Sequence, residues 1–148
     1  MASVQHDCKK ELRNVDLKVT PARLGVLAAL EASNLPIDIS AVAQYLKIHR
    51  IKADKVTIFR VMNVLTKKGL ANPIELNEGK FRYEYSAKAD HHHFICENCS
   101  TIEDVSDCNI KELEKDISKK KGFLVKRHSL EFFGICKKCQ QLPPHQSI

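Results

Sequence analysis

Apolar residues in the first half of the chain recur every three or four positions, which is the period of an amphipathic helix. The pattern predicts a first helix around residues 4–15 and a second helix that Thr20 caps, with proline in its first position. We expect Ser40 to cap a third helix, and Asp54 to cap a fourth that ends at Gly69. The first half is therefore predicted to be mainly helical.

Beyond residue 70 the apolar period changes to that of strands. Residues 74–76 and 81–85 alternate on either side of an Asn-Glu-Gly-Lys turn, which predicts a hairpin. Helices followed by a hairpin are typical of a winged helix-turn-helix. The second half predicts short strands on both sides of a Cys-x-x-Cys motif, a helix over residues 110–122, and strands over residues 123–126 and 130–135.

The predicted fold class is α+β with two domains. Residues 1–85 form an N-terminal winged helix-turn-helix DNA-binding domain with a hinge, and residues 86–148 form a small α/β domain that binds metal. The first of these carries 14 basic and 9 acidic side chains, out of a net charge of +6 for the chain. This balance is compatible with a polyanionic partner.

Composition excludes several classes of protein. Hydrophobic residues make up 43% and charged residues 28% of 148 residues, an ordinary balance for a folded globular chain. The chain lacks the apolar run of about 20 residues that a membrane span needs. Its polar N-terminus does not resemble a signal peptide, so we expect a cytoplasmic protein.

Four cysteines form two Cys-x-x-Cys motifs, one at Cys96 and Cys99 and the other at Cys136 and Cys139. In a reducing cytosol, a doubled motif predicts a tetrahedral zinc site with four thiolates rather than disulfides. Two unrelated pairs of buried cysteines are an alternative. Redox chemistry of the thioredoxin type is a weaker one, because neither motif opens a helix after a strand.

A run of three histidines precedes the first motif. In an extended segment successive side chains alternate between two faces, which separates His92 from its two neighbours. Two further metal sites with imidazole and carboxylate ligands are therefore predicted, suited to zinc, iron(II) or manganese(II). The first set is Glu84, His91, His93 and Asp104, and the second set is Asp90, His92, Glu112 and His128. The alternative is a surface run with weak adventitious affinity for metal.

The predicted fourth helix has a polar face opposite its apolar stripe. That face consists of Lys55, Thr57, Phe59, Arg60, Asn63 and Lys67. Cations suit phosphates and guanine edges, asparagine suits base edges, and an aromatic ring suits a thymine methyl group. The alternative is the solvated face of a core helix. The hairpin that follows favours a recognition helix for DNA.

Four blocks of the sequence resemble the ferric uptake regulator family, and together they span about residues 8–140. The blocks are LKVTPAR at residues 17–23, VTIFRVMNVL at 56–65 with Gly69-Leu70 after it, DHHHFICENC at 90–99 and HSLEFFGIC at 128–136. The order and spacing of the blocks are specific to that family.

The resemblance implies a repressor of genes for metal uptake or homeostasis. It implies a homodimer, paired through the C-terminal dimerisation domain, that binds palindromic, AT-rich double-stranded DNA when a regulatory metal closes the hinge. The set with Glu84 would be that regulatory site, and Lys18 and Arg23 would join the DNA-binding residues. The family usually places a histidine in the loop before the third helix, where this chain has Asp38.

The regulatory metal is predicted to be iron(II), because the hinge set contains no thiolate. Zinc(II) is the next alternative, since the three histidines and residues 101–103 resemble zinc-sensing relatives. Manganese(II) and peroxide sensing are further alternatives. The four-cysteine zinc ion is expected to be structural, and no membrane partner or small organic substrate is expected.

Two other classes of protein compete with this interpretation. A nucleobase deaminase needs H-x-E and P-C-x-x-C motifs, neither of which occurs, so we expect no enzyme of this kind. A structural zinc protein or metal store that does not bind DNA would leave the basic face of the fourth helix unexplained.

Overall fold

The computed structural model describes residues 7–76, 79–88, 91–106 and 108–143. The chain divides into two compact units, Met1–Ala87 and Lys88–Ile148. The first unit contains α1 (Cys8–Asn14), α2 (Pro21–Ala32), α3 (Ile39–Ile48), α4 (Lys55–Lys67), β1 (Ala71–Glu75) and β2 (Phe81–Tyr85). The second contains β3 (His92–Cys96), β4 (Ile102–Val105), α5 (Ile110–Lys121), β5 (Glu131–Gly134) and α6 (Lys137–Gln140).

Two of the predicted helix caps are confirmed. The Thr20 hydroxyl accepts the backbone N–H of Arg23 at 3.2 Å at the start of α2. The Asp54 carboxylate accepts the backbone N–H of Thr57 at 2.7 Å at the start of α4. Each bond satisfies one of the N–H groups that the first turn of a helix leaves without a partner.

The predicted cap of α3 is wrong. Asp38, not Ser40, caps this helix: its Oδ1 accepts the backbone N–H of Ala41 at 2.9 Å. The backbone is extended at Asp38 and helical from Ile39 onward, so Ser40 already lies inside the first turn. Both residue types are good caps, and the sequence did not distinguish two candidates only two positions apart.

The core of the first unit lies between α2, α3, α4 and the hairpin. Its fully buried side chains are Leu12, Val26, Leu27, Leu30, Val42, Leu46, Ile58, Met62 and Leu65. The predicted hairpin is confirmed, with β1 and β2 antiparallel and Ala71 opposite Tyr85. Residues 77–78 of its predicted turn lie outside the described part of the chain, as do residues 4–6 of the first predicted helix.

The second unit is built on a three-stranded sheet in the order β4-β3-β5. β3 and β4 are antiparallel, with His93 opposite Asp104, and β5 runs parallel to β3, with Gly134 opposite Cys96. α5 ends as predicted at Gly122, whose φ of 69° places it in the left-handed conformation that glycine adopts at little cost. The short helix α6 was not predicted.

One predicted strand is wrong. Residues 123–126 belong to no strand, and Phe123 and Leu124 are 63% and 83% exposed. Their apolar character suggested a strand, but both edges of β3 are already taken by β4 and β5. The mixed α+β class is confirmed. Among the helices that the structure describes, none is long and apolar enough to cross a membrane.

Candidate metal centres and DNA-binding face

The two Cys-x-x-Cys motifs come together in the second unit. The parallel pairing of β3 with β5 brings Cys96, at the end of β3, close to Cys136, which follows β5 and caps α6. The ligand atoms of Cys96, Cys99, Cys136 and Cys139 all lie within 4.8 Å of one another. The Cys99 and Cys136 sulfurs are 3.7 Å apart, and four sulfurs arranged tetrahedrally at about 2.3 Å from zinc are about 3.8 Å apart.

Backbone and side-chain donors favour the ionised form of part of this cluster. The backbone N–H of Cys136, 3.3 Å from the Cys96 sulfur, and that of Cys99 lower the pKa of Cys96 to about 6. A hydrogen bond with the Thr101 hydroxyl, at 3.0 Å, lowers the pKa of Cys99.

The fourth thiol shows why the cluster needs a cation. A hydrogen bond with Asn98 lowers the pKa of Cys139, but desolvation and the three neighbouring sulfurs outweigh it and raise that pKa to about 12. Four thiolates this close do not all ionise unless a cation offsets their repulsion. The donor set and its spacing suit a structural zinc ion, as predicted.

The first imidazole–carboxylate set gathers around His93 of β3, with His91 just before this strand and Asp104 on β4. The Nε2 atoms of His91 and His93 lie 3.9 and 3.7 Å from Oδ1 of Asp104, which is opposite His93 on β4. The two imidazole rings meet edge to face, with centroids 4.8 Å apart. Three of the four predicted ligands therefore converge within the second unit. The fourth, Glu84, lies buried on β2 of the first unit.

The opposite face of β3 carries the second set. Nε2 of His92 is 3.0 Å from Nε2 of His128, and Nδ1 of His128 is 2.8 Å from a carboxylate oxygen of Glu114 on α5. This separation of His92 from His93 is the alternation that the sequence predicts. A carboxylate at Nδ1 fixes the orientation of an imidazole whose Nε2 can bind a metal.

On α5 the carboxylate that contacts His128 belongs to Glu114 rather than to the predicted Glu112. Glu112 accepts a hydrogen bond of 2.6 Å from the Asn109 side chain at the start of α5, while Glu114 contacts His128. Asp90 lies outside the described residues. Sequence reasoning missed Glu114, and the only available signal was a second glutamate two positions along the same helix.

Asp38, at the position where the resemblance implies a histidine, has both carboxylate oxygens occupied. Oδ1 caps α3, and Oδ2 forms an ion pair of 2.6 Å with Nζ of Lys80. The hydrogen bond from Lys80, together with that from the Ala41 N–H, lowers the pKa of Asp38. The local contacts of Asp38 therefore explain this residue without a metal.

α4 presents the predicted polar face to solvent. Its stripe of Ile58, Met62 and Leu65 is buried in the core. The side chains predicted to contact DNA are all exposed: Lys55, Thr57, Phe59, Arg60, Asn63 and Lys67. Lys18 is exposed too, and Nη1 of Arg23 donates a hydrogen bond of 2.9 Å to the backbone carbonyl oxygen of Lys18.

A winged helix with a cationic helix face, joined to a unit with thiolate and imidazole clusters, defines a metal-binding DNA-binding regulator. The sequence pattern of the ferric uptake regulator family matches residues 14–133, so the chain belongs to that family. This confirms the resemblance inferred from the four sequence blocks. Its members are metal-responsive transcription regulators rather than enzymes.

Individual relatives agree with this assignment. The chain is 29% identical over 134 residues to the ferric uptake regulation protein of Bordetella parapertussis. The aligned region covers 90% of this chain and 96% of that protein. It is 26% identical over 141 residues to the peroxide-responsive repressor PerR of Staphylococcus aureus, and the aligned region covers 93% of this chain and 95% of that protein. The structure of the Vibrio cholerae ferric uptake regulator superposes with a TM-score of 0.74 at 27% sequence identity. The superposition covers 88% of this chain and 100% of that one.

Proposed function

We propose that the chain is an iron(II)-dependent repressor that binds a palindromic, AT-rich operator as a homodimer. The observation that carries the proposal is the exposed face of α4, which combines Arg60, Lys55 and Lys67 with Thr57, Asn63 and Phe59. These are the side chains that read base edges and neutralise phosphates. Within this proposal the structural zinc maintains the second unit, and a second metal controls DNA binding.

The regulatory metal is proposed to bind His91, His93 and Asp104 together with Glu84. The three ligands that lie in the second unit provide imidazole nitrogen and carboxylate oxygen, with no sulfur among them. Such a set accepts iron(II), manganese(II) and zinc(II), and the absence of a thiolate is the feature that favours iron over zinc in this proposal. A metal that binds the DNA-binding conformation more tightly shifts the population toward it by that difference in affinity.

We expect iron(II) to switch on DNA binding at its physiological free concentration, and zinc(II) or manganese(II) to do so only above theirs, because metal availability rather than intrinsic affinity selects among these ions. Duplexes selected from a random pool supply the operator, and fluorescence anisotropy measures binding. The protein retains its four-cysteine zinc and is stripped of weaker metal, and each metal is added at buffered free concentration without oxygen. An increase in affinity of about 10- to 100-fold corresponds to a coupling free energy of typical size.

Two results would change this proposal in different ways. Switching by zinc within its physiological range of free concentration would make the chain a zinc-responsive regulator. Loss of iron-dependent binding after brief peroxide treatment, with zinc-loaded protein unaffected, would favour the peroxide-sensing alternative. Equal affinity for DNA with and without every metal would contradict metal control altogether.

The second unit supports the proposed homodimer, because much of its apolar surface is uncovered. In its described part the buried side chains are confined to β3 and Ile102 on β4. α5 has no buried residue, and its apolar side chains Leu113 and Ile117 are 56% and 37% exposed. Phe132 and Phe133 on β5 are also exposed. Uncovered apolar surface of this extent is typical of a protein interface.

Leu124→Glu is expected to weaken the dimer by about tenfold or more, because a charge would replace one of the most exposed apolar side chains. Sedimentation equilibrium over a range of protein concentrations measures the change. Leu35→Glu is the matched control, since Leu35 is an exposed leucine of the first unit and the variant should dimerise normally. Unchanged dimerisation of Leu124→Glu would exclude this segment from the interface.

A further inference from the structure

A groove in the first unit joins the hairpin to the recognition helix. It has a volume of about 300 Å³ and lies between the start of α3, the middle of α4 and the start of β2. Phe59 of α4 and Phe81 of β2 line it, and these rings are 49% and 51% exposed. The hairpin and the proposed DNA-reading face of α4 therefore belong to one continuous surface.

One cation lines this groove and a second contacts a residue of its lining. Lys80, just before β2, pairs with Asp38 at 2.6 Å, and Lys55 donates to the Ser40 hydroxyl at 3.4 Å. Lys80 remains 54% exposed in its side chain, whereas Asp38 is only 20% exposed. The carboxylate has a second role as the cap of α3, so the lysine is the member of the pair that can change partner without loss of that cap.

The way in which helix-turn-helix units bind DNA indicates where this pair would lie relative to a bound duplex. When the second helix enters the major groove, the first helix crosses the sugar–phosphate backbone. Here the second helix is α4 and the first is α3, so the start of α3 would face the backbone. Because the Lys80 side chain is largely exposed, a backbone phosphate can replace Asp38 as its partner.

We propose that Lys80 binds a backbone phosphate of the DNA duplex and that Asp38 competes with this phosphate, thereby lowering the affinity for DNA. The inference rests on the proposed DNA-binding function. Lys80 would add a contact from the hairpin to those from α4. Asp38 would limit binding to any duplex, because a phosphate must displace a carboxylate that is already in place.

The two partners of the pair are expected to have opposite effects when changed. Asp38→Asn preserves the helix cap, since asparagine caps as well as aspartate, but removes the competing charge. We expect this variant to bind DNA about three- to tenfold more tightly. Lys80→Gln should bind about five- to tenfold more weakly, and its slope of log affinity against log salt should be smaller by about 1.8, because each protomer of the proposed homodimer loses one phosphate contact.

Fluorescence anisotropy measures these affinities on a selected duplex and on a random duplex of equal length, at four salt concentrations. In the double variant the gain from Asp38→Asn should disappear, because Lys80 is no longer there to be released. Lys115→Gln on α5 is the matched control, since this exposed lysine of the second unit should leave the salt slope unchanged.

Three outcomes would overturn the inference. If both single variants bind more weakly, the pair only holds the hairpin in position. If neither variant changes affinity or salt slope, Lys80 does not contact DNA. If the wild-type chain binds no duplex with any metal, the proposed function fails and this inference fails with it; the first two outcomes leave that function intact.

Discussion

Cys136→Ser is expected to remove the structural zinc and unfold the second unit. Cys136 connects β5 to α6, and its backbone N–H also donates to the Cys96 sulfur. Loss of one thiolate should weaken zinc binding by more than about 100-fold, because even changes outside the first ligand shell cost about 10- to 100-fold. Zinc bound per chain, circular dichroism and sedimentation together measure the effect.

The unfolding follows from how little else stabilises this unit. Its buried side chains are few, so the zinc–thiolate bonds replace much of the hydrophobic core that a small domain lacks. Cys108→Ser is the matched control, because Cys108 lies outside the cluster and should retain zinc and fold. A strong chelator added to reduced wild type should reproduce the loss. A Cys136→Ser protein with full zinc and wild-type melting would contradict the assignment.

The helices and the zinc site were predictable because their signals are local. α4 is defined by a cap at Asp54, an apolar stripe and a glycine just after its end, all of which lie within one short segment. Each Cys-x-x-Cys motif likewise brings two sulfurs together by itself. The two motifs meet because β3 pairs in parallel with β5. The presence of two motifs predicted that they would meet, but not which strands would bring them together.

The structure departs from the sequence-based expectations where the outcome depends on distant parts of the chain. Glu112 and Glu114 differ by two positions, so they point about 200° apart around α5. Which of them meets His128 depends on where α5 lies relative to the segment that carries His128, and no periodicity in the sequence records that. Residues 123–126 have the apolar character of a strand, but a strand also requires a neighbour to pair with.

Lys80 shows a different limit of sequence reasoning. It stands in a turn between two strands, where a lysine is ordinary and matches no motif. Its relation to Asp38 spans 42 positions and exists only because the start of β2 folds back beside the start of α3. The same fold gives Asp38 two partners, and this explains a residue that departs from the family pattern.

Arg60→Glu is expected to abolish specific DNA binding. Arg60 is exposed on the polar face of α4, one position beyond Phe59 and away from the buried stripe. An arginine that contacts a guanine edge contributes about 1–3 kcal/mol of discrimination, and charge reversal adds repulsion from nearby phosphates. We expect a loss of affinity of about 100-fold or more at moderate salt, with unchanged circular dichroism and metal content.

Two further variants separate charge from geometry at this position. Arg60→Lys retains the cation but loses the two-pronged geometry, so it should retain non-specific binding and lose discrimination between the selected duplex and a random one. Lys119→Glu makes a similar change of charge on α5 and should leave binding unaffected. Full operator affinity in Arg60→Glu would instead support the alternative of a structural zinc protein or metal store, because the feature that separates the two interpretations is the cationic face of α4.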